Sequence, residues 1–147
     1  MDFTDVEGIA ALMNAASGGY AKAMGHRFVK ASPDEVVLEW TVGEEHLQPY
    51  GIVHGGVHCG AIETVCSIGA AMVATQRGYE GGVVGLENHT SFLRAVRAGT
   101  KLRARATPIT RGSTTQVWQA DVVDETGAQV ARGTVRLLCT PKISNRV

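Results

Sequence analysis

A chain of 147 residues is the size of one ordinary domain and is long enough to bury a hydrophobic core. Its 14 basic and 14 acidic residues cancel, which argues against a nucleic-acid binder and against a polybasic membrane anchor. With 44% apolar and 19% charged residues, the composition is that of a globular protein, neither disordered nor fibrous.

In chain order, the opening MDFTDVEGIAALMNAAS carries acids and lacks the basic stretch that begins a signal peptide. Val6, Ile9, Ala10 and Met13 recur at helical spacing behind Thr4 and Asp5 as candidate N-caps, so a helix is predicted from about residue 6 to about residue 14. Between residues 35 and 42 the period changes to two, with Val36, Leu38 and Trp40 on one face of a strand. A polar passage, GEEHLQPYGIV, leads into HGGVHCGAIETVCSIGAAMVATQRG at residues 54–78.

From residue 57 to 76 this segment is apolar or small nearly all the way round, with Glu63 as its single formal charge. As a helix it would be about 30 Å long. A membrane span of that length carries more large apolar residues and no central carboxylate, so a helix enclosed by its own domain is predicted. Gly55 and Gly56 open it, and Arg77-Gly78 closes it.

Everything downstream alternates like strands. Val84, Leu86, Asn88, Thr90 and Phe92 form one row. Leu102, Ala104 and Ala106 oppose Lys101, Arg103 and Arg105. Trp118, Ala120 and Val122 form a further row, and residues 124–127 (DETG) read as a hairpin turn before Ala131, Gly133, Val135, Leu137 and Cys139. Short connections favour antiparallel pairing, so the fold class is α+β: one domain over residues 1–147, an antiparallel sheet wrapped around one long central helix in the hotdog arrangement. The three cysteines, Cys59, Cys66 and Cys139, have no CxxC spacing, so neither a disulfide framework nor a tetrahedral zinc site is expected, and a cytoplasmic location is.

Glu63 is the main physical anomaly. A lone carboxylate in an apolar interior costs several kcal/mol unless it is paired, hydrogen-bonded or beside water. It is either a solvent-facing residue on an incompletely buried helix or a functional acid–base group. His54-Gly55-Gly56 precedes the helix. It is either a plain junction or a set of unobstructed backbone N–H groups at the positive helix end, suited to an oxyanion. His54 lies nine residues before Glu63, roughly 13 Å along a helix, too far for both to act on one carbon in one chain. A site shared between two subunits resolves this. Gln48, in the entering loop, is either an ordinary loop glutamine or an amide able to donate to the same oxygen. Ser67 sits one turn after Glu63 on the same face, where it either orients the carboxylate or simply packs. His54 and His58 at i, i+4 lack further ligands at useful spacing, so no metal is expected, and Cys59 or Cys66 lacks an activating base.

Gln48, His54-Gly55-Gly56, Glu63 and Ser67 together resemble the motif of the hotdog-fold acyl-CoA thioesterases. The nearest branch acts on 4-hydroxybenzoyl-CoA, phenylacetate-pathway and 1,4-dihydroxy-2-naphthoyl-CoA thioesters. The similarity runs from about Leu38 onward and includes residues 83–87 (VVGLE), Arg111-Gly112-Ser113 and residues 116–119 (QVWQ). It implies a homotetramer built from dimers, with sites at the dimer interface. Glu63 would be nucleophile or general base, Gln48 and the Gly55 N–H would polarise the thioester carbonyl, and His54 would assist. Ser67, Gly85, Phe92, Arg94, Arg111, Gly112 and Ser113 would contact the substrate, whose coenzyme A is no separate cofactor. Where many relatives have Asn-x-Asn-His before a Leu-Arg pair, this chain has His89-Thr90-Ser91-Phe92, which implies altered contacts near the pantetheine arm. Two rival readings are a hotdog enoyl-CoA hydratase or dehydratase and a non-catalytic acyl-CoA-binding sensor.

Overall fold

The computed structural model describes residues 2–140. The elements run α1 (Val6–Ala15), α2 (Gly19–Ala23), β1 (Arg27–Ala31), β2 (Val36–Thr41), a short 3-10 turn at Glu44–His46, α3 (Gly55–Gln76), β3 (Val83–Phe92), β4 (Lys101–Arg111), β5 (Thr115–Asp124) and β6 (Gln129–Cys139). All six strands form one antiparallel sheet in the order β1-β2-β4-β5-β6-β3. The sheet curls around α3, which is the predicted hotdog arrangement.

The predicted helix ends are met by specific caps. Asp5 accepts the Gly8 N–H at the start of α1. His54 caps α3 by accepting the Gly56 N–H on Nδ1 at 2.9 Å. At the other end Gly78 takes a positive φ of 78°, and the N–H groups of Gly78 and Tyr79 bond back to Thr75 and Ala74. That is a Schellman closure, and its left-handed position is why a glycine follows Arg77.

The core lies between α3 and the sheet. Ala61, Ile62, Val65, Cys66, Ala70 and Val73 pack on Leu38, Leu102, Trp118, Val122, Val135 and Leu137. Small residues let the layers approach: a Cβ on Gly69 would overlap the Trp118 ring. Trp118 is fully buried and still satisfied, because its Nε1–H donates to Gln116, whose own amide donates to the Ala70 carbonyl.

Four features depart from the pattern read in the sequence. The strand β1 has no counterpart in the alternation, because a bulge between Phe28 and Lys30 breaks its period. On β2 the polar face is buried too: Glu39 is 5% exposed beneath Arg27, Lys101 and Arg103, which pair with it. The helix α3 is enclosed on one side only. Cys59, Glu63, Thr64, Ser67 and Ile68 are half-buried, since the sheet covers the opposite face. Finally, β3 is an edge strand paired only to β6, and Val84, Leu86 and Phe92 are exposed.

Candidate active site

Glu63 projects from the half-buried face of α3. It is neither sealed in an apolar interior nor free in solvent. Its Oε1 accepts the Ser67 hydroxyl at 3.3 Å, and its Oε2 accepts an amide hydrogen from Asn88 on β3 at 3.1 Å. Backbone at Gly85 presses against the carboxylate so closely that a Cβ there would overlap Oε1. Gly85 and Ser67 therefore both sit beside Glu63. Burial, with Glu63 nearby, pushes the Cys66 thiol far above its ordinary value, which leaves it inert as a nucleophile.

A second group lies at the start of α3. An open cavity of about 360 Å³ there is bordered by Gln48, Gly55, His58, Phe92 and Arg94. The Gln48 loop is held by its own backbone, with Gln48 N–H donating to Ile52 and Gly51 N–H donating to Gln48, both at 2.9 Å. The Gln48 side-chain oxygen accepts the Tyr50 N–H, which turns the amide so that its NH₂ remains to donate elsewhere. The Gly55 N–H has no acceptor among the described residues, as befits a first-turn donor. Both residues line the cavity.

Phe92 covers this end of the helix. A Cβ on Gly55 would come within 2.7 Å of the Phe92 ring, so glycine here lets the ring pack against the start of α3. The Phe92 ring also stands 6.2 Å from that of His58. Burial pushes His58 down to about 4, so it is a neutral imidazole at ordinary pH. Arg94 is largely exposed at the cavity edge, with Asp124 3.8 Å away. His54 is spent on capping through Nδ1, leaving Nε2 as its available atom.

Glu63 with Ser67, and Gln48 with Gly55, thus form two groups that stand apart in one chain. From Gly55 to Glu63 is eight residues, roughly 12 Å along the axis, and Glu63 does not border the cavity. The third, Arg111-Gly112-Ser113, lies at the opposite end of α3. There Arg77 donates to the carbonyls of Arg111 and Gly112 at 2.7 and 2.9 Å, and Arg111 pairs with Asp34. One chain does not bring this turn to the cavity. Among the described residues no three His, Cys, Asp or Glu side chains converge as a metal site.

The residue that sequence reasoning missed is Asn88. Its signal was present: Asn88 and Thr90 are the polar centre of the otherwise apolar row on β3. Which element faced that row was not readable.

The thioesterase superfamily model matches residues 50–131. The chain is 34% identical over 108 residues to a 1,4-dihydroxy-2-naphthoyl-CoA hydrolase of Listeria monocytogenes, covering 74% of this chain and 85% of that one. It is 29% identical over 139 residues to the Escherichia coli hydrolase of the same name, covering 95% and 93%. A solved thioesterase structure from Haemophilus influenzae superposes with a TM-score of 0.80 at 29% identity, covering 97% of this chain and 94% of the other. The helix, the wrapped sheet and the matched span agree: this chain belongs to the thioesterase superfamily and is a thioester hydrolase.

Proposed function

We propose that the protein hydrolyses acyl-CoA thioesters, with aryl or arylacetyl acyl groups preferred, to the free acid and coenzyme A. The observation that carries this reading is the division of the site. A carboxylate held by Ser67 and Asn88 lies roughly 12 Å from a helix start that offers the Gly55 N–H and the Gln48 amide beside a cavity. Two chains paired through β3 would bring the Glu63 of one to the Gly55 end of the other. The exposed apolar residues Val84, Leu86, Phe92 and Leu93 on and beside an unpaired strand edge support that pairing. The assembly is a homotetramer built from two such dimers, and the buried thiols of Cys66 and Cys139 suit a reducing cytoplasm.

In this mechanism the thioester carbonyl enters between Gln48 and the start of α3. The two donors stabilise negative charge on its oxygen as it forms. Glu63 either attacks the carbonyl carbon, giving a transient anhydride that water cleaves, or takes a proton from the water that attacks. Thiolate leaves readily, so one carboxylate and an oxyanion site suffice. His54 assists through Nε2. Phe92 screens the reacting centre from water, and Arg94 offers a cation to the phosphates of coenzyme A. The Arg111–Ser113 turn would reach the substrate only from a neighbouring chain. The names of the Listeria and Escherichia relatives favour an aryl acyl group.

The test is release of free thiol from aryl, arylacetyl and aliphatic acyl-CoAs by wild type and Glu63→Ala. Hydrolysis that falls at least about a hundredfold in the variant supports the reading. Acyl-CoA that binds wild type without turnover would sink it.

A further inference from the structure

Asn88 takes no chemical step in the mechanism above, yet every polar atom of its side chain is engaged. Nδ2 donates one hydrogen to Glu63 Oε2 and the other to the Cys59 carbonyl, both at 3.1 Å. Oδ1 accepts the Thr90 hydroxyl at 2.7 Å. Turned over, the amide would aim its oxygen at two acceptors, a carboxylate and a carbonyl, at once. The network therefore fixes which end of the amide meets Glu63.

The anchoring has a further consequence. Cys59 lies one helical turn before Glu63, so Asn88 grips the backbone of α3 and the carboxylate it carries together. Ser67 holds the other carboxylate oxygen, and Gly85 closes the approach from β3. With one donor on each oxygen, lone pairs remain for a substrate or a water. What is lost is the freedom of the carboxylate to rotate away.

We propose that Asn88 is a positioning residue, which holds Glu63 in its reactive orientation by donating to Oε2 while locked on Cys59 and Thr90. This rests on the role of Glu63 given above. Asn88 acts through that carboxylate, and its orientation is set before the substrate arrives.

The experiment is steady-state thiol release by wild type, Glu63→Gln, Asn88→Ala and Asn88→Asp, with melting temperatures for each. Asn88→Ala should lower kcat by roughly ten- to hundredfold, the value of a hydrogen bond to a charged group, with KM and melting temperature nearly unchanged. Asn88→Asp separates positioning from packing. A residue that only fills space tolerates nearly isosteric aspartate better than alanine. A donor to a carboxylate gives the reverse order at neutral pH, because aspartate sets a second negative charge against Glu63. Asn88→Asp at least as active as Asn88→Ala, or Asn88→Ala with wild-type kcat, overturns the proposal. If Glu63→Gln is inactive while both Asn88 variants match wild type, only this proposal falls. If wild type itself hydrolyses no acyl-CoA, the reading of the whole site falls, and this inference with it.

Discussion

Gly85 allows a test in which activity and stability should part company. It lies within β3 and does not adopt a positive φ, so alanine fits its backbone without strain. The added Cβ would overlap Glu63 Oε1, with the rest of the carboxylate farther off. The atom in the way is the end of a flexible side chain, so the fold yields cheaply: the carboxylate swings back by about 1 Å to reach van der Waals separation. That same ångström moves it off Ser67 and Asn88. A misplacement of this size in a reacting group costs about a hundredfold in rate. Gly85→Ala should therefore lose about a hundredfold in kcat while its melting temperature holds or rises slightly, since alanine loses less backbone entropy on folding than glycine. The checks are thiol-release kinetics and thermal unfolding monitored by circular dichroism. A kcat within threefold of wild type would refute the claim that this close approach sets the position of Glu63.

Other outcomes follow from the same geometry. Gln48→Ala removes one of two oxyanion donors and should cost about 10²–10³ in kcat, and activity within twofold of wild type removes Gln48 from the mechanism. Stability should fall as pH drops from 6.5 toward 4. Burial lowers both His58 and His26 to about 4 from 6.5, with His46 adding to the effect on His26. Both rings are neutral when folded and take protons more readily when unfolded, so their stabilisation is complete above 6.5 and lost on descent through that window. Melting temperature against pH measures this, and a curve no shallower in His58→Asn would contradict the assignment for His58. Leu86→Lys places a charge on the exposed edge of β3 and should shift the assembly toward monomer in sedimentation, with loss of activity in step. An unchanged oligomeric state would argue against the proposed pairing through this edge.

Much of this protein was determined by its sequence alone. The run of small and apolar residues with one carboxylate gave α3, and strict alternation gave β4, β5 and β6, because burial against a single partner layer imposes periods that composition displays directly. Glu63 stood out as the single formal charge in an apolar run, whereas Gln48 and Gly55 drew notice only through their place in the motif that the chain resembles. Three matters were decided only in three dimensions. The bulge in β1 hid that strand, because one extra residue inverts the alternation beyond it. The edge position of β3 left its row exposed, and strand order is set by packing of the whole sheet, not by any local period. The contacts of Gly85 and Asn88 with Glu63 span some twenty residues of chain and depend on the register of β3 against α3. That register is fixed jointly by pairing with β6 and by the Schellman closure that ends α3, so no segment read by itself contains it.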